Sequence, residues 1–148
     1  MEESIMDNDL LLKINDKFDI PEADLKTYSP LTLAFLGDCV YDLIIRTVLV
    51  ERKNRSVNGL HKDKSSYACA QYQAQMSEVI KDILSEEEAD IMKRGRNAKT
   101  ASHAKNAGLS EYHKATGLEC LIGYLYLQGN IDRILDLFKY TFDKEVSL

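Results

Sequence analysis

Leu31-Thr-Leu-Ala-Phe-Leu-Gly-Asp-Cys-Val-Tyr-Asp-Leu-Ile-Ile-Arg46 organises the rest of the chain. Leu33, Leu36, Val40, Leu43, Ile44 and Val48 recur at spacings of three and four, which predicts one long helix with that stripe turned to the core. Gly37 interrupts a good helix at a cost of about 1 kcal/mol against Ala. A glycine there lets another backbone or a ligand come close. Asp38 follows at once, inside an apolar run, where a carboxylate needs a partner, a metal or water. An Asp on the solvated edge of an amphipathic helix fits the same pattern.

Outward from that helix the chain reads as further helices. Ser29-Pro30 marks its start, because Pro suits the first turn, and it should run to about Glu51. A basic, turn-rich connection over 52–59 leads to a second helix, from Val57 or Leu60 to Gln75, with Met76 to Leu84 continuing helical. Ser85 and Glu88 form a capping box for a helix ending near Gly95. An irregular basic loop is expected over 96–110, then a helix from Tyr112 or Ala115 to Leu127 with the stripe Leu118, Leu121, Ile122 and Leu125. Gln128-Gly-Asn130 is a turn, and a last helix runs from Ile131 to about Lys144. With no alternating strand segment, the class is all-α. Residues 1–20 read as an acidic, mobile N-terminal segment ahead of one domain over 21–148.

A chain of 148 residues can bury one real core, and 45% hydrophobic residues exclude a disordered polymer. No apolar run reaches the roughly 18 residues that span a bilayer, so no membrane association is expected. The acidic start lacks the regions of a signal peptide. Cys39, Cys69 and Cys120 are odd in number and without CxxC spacing, as in a reduced, cytoplasmic protein with neither disulfide frame nor zinc site. The formal charge of −5 does not suggest nucleic-acid binding, but its distribution does. Residues 1–24 hold eight acids against Lys13 and Lys17, whereas 92–105 hold Lys93, Arg94, Arg96, Lys99 and Lys105 with no acid.

Glu119 is a second odd carboxylate, within the apolar helix Ala115-Thr-Gly-Leu-Glu-Cys-Leu-Ile-Gly-Tyr-Leu-Tyr-Leu127. Two acids on two apolar helices can lie side by side and hold a hard cation such as Mg²⁺, which takes few protein carboxylates and keeps its waters. The pattern alone is unspecific, since any helical protein offers such pairs.

Leu33-Ala-Phe-Leu-Gly-Asp38 resembles the signature helix of the ribonuclease III catalytic domain, Leu-Glu-Phe-Leu-Gly-Asp. Thr116-Gly-Leu-Glu-Cys-Leu-Ile-Gly123 resembles that family's second acidic motif, Asp-x-x-Glu-Ala-Leu-Ile-Gly. The resemblance covers about residues 25–145. It departs from ordinary ribonuclease III at Ala34 and Thr116, where the family has acids, and no double-stranded RNA-binding domain is read after residue 148. These departures match the mini-ribonuclease III subgroup, as do Arg94-Gly-Arg-Asn-Ala-Lys99 and Gly123-Tyr-Leu-Tyr-Leu127. His113, where that subgroup has Arg, is a mild departure.

The resemblance implies an Mg²⁺-dependent endonuclease, with Mn²⁺ as a substitute, acting on double-stranded RNA. It implies the 23S ribosomal RNA precursor as substrate and products with a 5′ phosphate. Asp38 and Glu119 carry over as catalytic metal ligands. Lys62, Lys64, Arg94, Arg96, Asn97 and Lys99 are the expected RNA-binding residues, reading backbone more than sequence. A symmetric homodimer is expected, with Phe35 at its interface because its ring lies off the main stripe. A large-subunit ribosomal protein is a further partner that the resemblance admits. The competing reading is a non-catalytic RNA-binding module derived from a ribonuclease III domain, for which neither acid would be needed.

Simpler roles stand beside these. Asp42 pairs with Arg46 one turn on. His61 and His103 contact RNA or are solvated, the tyrosines of 123–127 pack, and the acids from Glu86 to Asp90 favour a helix N-terminus.

Overall fold

The structure is a computed structural model and describes residues 10–52, 56–98 and 108–144. Among these there is no strand. Seven α-helices follow in order: α1 Leu10–Lys17, α2 Pro30–Arg52, α3 Val57–Ala68, α4 Ala70–Val79, α5 Glu86–Arg96, α6 Leu109–Leu127 and α7 Ile131–Asp143. Short 3₁₀ turns lie at Leu25–Thr27 and Ile80–Asp82. Within the segment 1–20, α1 is helical and buries none of its residues.

Local chemistry sets most helix starts. The Ser29 hydroxyl accepts from the Thr32 N–H at 3.1 Å, and Pro30 occupies the first turn without a donor to satisfy. Ser56 caps α3 through the Gly59 N–H. The capping box at Ser85 is complete: the Glu88 N–H reaches the Ser85 hydroxyl at 3.1 Å and the Ser85 N–H reaches the Glu88 carboxylate at 2.8 Å. Asn130 caps α7. The helix expected from Tyr112 or Ala115 opens earlier, at Leu109.

The central element is α6. Every residue from Ala115 to Leu125 is buried except Glu119. Leu118, Leu121, Ile122 and Leu125 form the expected stripe, but the opposite face is buried as well, because α2, α4, α5 and α7 surround it. A helix hydrophobic all round is one enclosed by its neighbours.

The buried face of α2 differs from the expected stripe. The row Leu33, Gly37, Tyr41, Ile45 and Leu49 lies inside, flanked by Ala34 and Val40. Leu36, Ile44 and Val48 are only half-buried, and Leu43 is 58% exposed. Backbone approach decides this. A Cβ at Gly37 would lie 1.8 Å from the Glu119 carbonyl oxygen, and one at Gly123 would lie 2.0 Å from the Leu33 carbonyl oxygen. The two helices cross with main chain against main chain, so the core face is centred on a glycine.

The expected single helix from 57 or 60 to 75 is interrupted. Cys69 is extended, with φ −77° and ψ 156°, and separates α3 from α4. The hydroxyl of fully buried Tyr41 donates to the Tyr67 carbonyl, which occupies one acceptor that a continuing helix would use. At the other end, Arg133 of α7 donates to both oxygens of buried Glu88, at 2.8 and 2.9 Å, and to the Ile83 carbonyl at 2.6 Å. The guanidinium holds the Glu88 carboxyl below the usual carboxylate range and ties α5 to α7.

Gly37→Ala should force α2 and α6 apart, at a cost of about 3 kcal/mol. For a chain of this size that lowers the melting temperature by roughly 10 °C. Gly108→Ala is the comparison, since no described atom lies within 4 Å of its Cβ. Calorimetry of the two variants measures the difference.

Candidate active site

The glycine crossing places two acids together. Asp38 follows Gly37 on α2, and Glu119 sits on α6 at the point that Gly37 touches. Asp38 is exposed and Glu119 half-buried. Both line an open cleft of about 790 Å³, with Leu31, Phe35, Cys39, Asp42, Lys64, Tyr112 and Thr116 also in its wall. On its inner side Glu119 accepts a hydrogen bond from the Gln73 amide of α4, Nε2 to Oε2, at 3.2 Å.

Burial pushes the Glu119 carboxyl up to about 8, and the charge of Asp38 and a hydrogen bond with it push the same way. The Gln73 N–H opposes them, because a donor favours the ionised form. Two carboxylates close enough to share a proton are also placed to share a cation, which would remove the repulsion that raises Glu119. Among the described residues no cluster of three or more His, Cys, Asp or Glu is arranged to hold a metal ion. A cation held by this pair would depend on other oxygens, and the cleft has room for water and a phosphate. That fits a hard, hydrated ion better than a closed protein cage.

The other expected residues fall in three places. Lys64 lies in the acid cleft, its ammonium 3.6 Å from Asp42. Asp42 also accepts from Arg46 Nε at 2.8 Å, the local pair expected for it. Lys62 is exposed on α3. Arg94, Arg96 and Asn97 end α5, with Arg94 and Asn97 exposed. Arg96 lines a separate hollow of about 220 Å³ with Glu78, Lys81, Lys93 and Lys114, not the acid cleft. Lys99 and His103 lie outside the described residues. Phe35 stands on the rim of the cleft, 83% exposed.

Gln73, Tyr112 and Thr116 were not among the candidates. Gln73 had a signal: it falls on the stripe Gln73, Met76, Ser77 and Ile80, the buried side of α4 and the following turn. Its neighbours Gln71 and Gln75 are exposed, so composition hides it.

Comparison with known proteins places the chain in a family. Residues 31–130 match the family described as Ribonuclease III domain. A Mini-ribonuclease 3 of Thermoanaerobacter sp. is 49% identical over 76% of this chain and 80% of its own length. A Mini-ribonuclease 3 of Staphylococcus aureus is 40% identical over 74% of this chain and 84% of its own. The crystal structure of a Fusobacterium nucleatum protein superposes with a TM-score of 0.74 at 32% identity, covering 84% of this chain and all of that one. The chain belongs to the ribonuclease III family and is an endoribonuclease. Among the described residues no helix is long and apolar enough to cross a membrane.

The acid pair has a consequence for stability. A carboxyl raised in the folded state binds its proton more tightly there than in the unfolded chain. Its contribution is therefore full at acid pH and is lost as pH rises from 4.5 to about 8. In chelator, the wild-type melting temperature should fall across that window relative to Glu119→Gln. A flat difference between the two would contradict the placement of Glu119.

Proposed function

We propose that this endoribonuclease cleaves double-stranded RNA with Mg²⁺, or Mn²⁺ in its place, held by Asp38 and Glu119. The observation that carries the reading is the pair of acids brought together on the wall of an open cleft, one of them with its carboxyl pushed up by burial and by its neighbour. The bound cation supplies activation of water and stabilisation of negative charge at the phosphodiester. With its carboxyl raised, Glu119 would give up a proton to hold the cation. Lys64 brings a positive charge into the same cleft and faces a phosphate, while Asp42 limits its movement. Arg94, Arg96, Asn97 and Lys62 bind RNA phosphates further out, and Lys99 shares that role. Their reading of the duplex is through its backbone, with little dependence on sequence.

The substrate we propose is the 23S ribosomal RNA precursor, on the strength of the similarity to the Mini-ribonuclease 3 proteins. Cutting both strands needs two sites, and a two-fold dimer meets the approximate dyad of a duplex. Exposed Phe35, Leu31 and Leu43 on α2 support a dimer built on that helix.

Asp38→Asn and Glu119→Gln should each abolish cleavage of long duplex RNA in Mg²⁺ while keeping the wild-type helical content, since a site with two carboxylates has no spare. Full activity of Asp38→Asn at ordinary Mg²⁺ would sink the assignment. A chain that binds duplex RNA but never cuts it would instead be the non-catalytic module.

Phe35→Ala should shift the protein towards monomer in sedimentation at micromolar concentration, because truncating a buried Phe costs about 3–5 kcal/mol. A wild-type monomer that still cuts both strands would refute the two-fold arrangement.

A further inference from the structure

We infer that Gln73 is a positioning residue of the metal site: its side-chain amide holds the Glu119 carboxylate in the orientation that a cation needs. The inference rests on the reading of Asp38 and Glu119 as metal ligands.

Gln73 is 3% exposed, so it touches neither solvent nor RNA. Its place on α4 is one that an apolar side chain fills without penalty, beside Met76 and Ile80, which are wholly buried. A buried amide costs free energy unless its polar atoms are paired. Here Nε2 donates to Glu119 Oε2 at 3.2 Å, across 46 residues of sequence. Metal-binding carboxylates are commonly oriented by such an outer donor. The need is greater with two ligands than with four, because no other protein group corrects a carboxylate that turns away.

The backbone is arranged for the same contact. Cys69 ends α3 in extended geometry and α4 starts afresh, with the Gln73 N–H bonded to the Cys69 carbonyl at 3.1 Å. The break gives α4 its own direction, along which it packs on α6 and aims Gln73 at Glu119. Gln71 and Gln75 point outward and serve as internal comparisons. A glutamate at 73 would add a third carboxylate at a buried position, whereas an amide donates without adding charge.

The test is binding of Mn²⁺ alone to the RNA-free protein, read by electron paramagnetic resonance of free Mn²⁺, beside Mg²⁺ titrations of cleavage and melting in chelator. Gln73→Met keeps the length and removes the donor. It should weaken Mn²⁺ binding by roughly 10–100-fold. The Mg²⁺ requirement for half-maximal cleavage should rise similarly, while the rate at saturating Mg²⁺ returns to within a few-fold of wild type. Gln71→Met should change neither. In chelator, the melting-temperature changes of Gln73→Met and Glu119→Gln should be non-additive, as expected for residues acting through one contact, and strict additivity would count against the inference. Gln73→Asn withdraws the amide by one methylene and serves if Gln73→Met melts early. Unchanged Mn²⁺ affinity in either folded variant overturns the inference. Mn²⁺ binding that survives both Asp38→Asn and Glu119→Gln overturns the metal reading itself, a separate result.

Discussion

The contact of α2 with α6 at Gly37 and Gly123 is the constraint on which the rest depends. A Cβ at either glycine would run into the opposite main chain. Removing both side chains lets the helices meet at their closest, so the residues beside the crossing are brought together whatever their polarity. Asp38 and Glu119 are those residues. The same approach that builds the core therefore builds the site, and stability and chemistry cannot be separated at this point.

A second crossing grips α6 from another side. A Cβ at Gly95 would lie 2.5 Å from the Cys120 Cβ, and one at Gly117 would lie 2.7 Å from the Met92 carbonyl oxygen. Between them the two crossings fix the rotation of α6 about its axis. That rotation decides which residue of the helix faces the cleft, and it is Glu119 alone of the run from Ala115 to Leu125 that escapes burial. The Glu88–Arg133 pair anchors α5 against α7, so the support for α6 is itself tied down.

Charge runs against packing in this protein. Half-burial of Glu119 beside Asp38 disfavours its ionisation. A cation held between the two acids, as proposed, would relieve that conflict. Gln73 moderates the conflict without ending it, by donating to Glu119. The net negative charge of the chain says nothing of this, because the effect depends on distances of a few ångströms.

The class, most helix boundaries and the two acids are legible in the order of residues alone. Capping residues such as Ser85 act over three or four positions, and the hydrophobic period of a helix is local, so both are legible in one dimension. The acids were legible as charges inside apolar runs and through their resemblance to two motifs. Packing alone settled which side of α2 faces inward, because a stripe counted from Leu and Val cannot weigh a glycine that draws in a neighbouring backbone. It alone decided the break at Cys69, where a Tyr41 hydroxyl from another helix takes up a carbonyl. Likewise the partner of Gln73 became visible only when α4 was laid against α6, since Glu119 lies 46 residues away. Local interactions write themselves into the order of residues; contacts between distant segments exist only once the chain has packed.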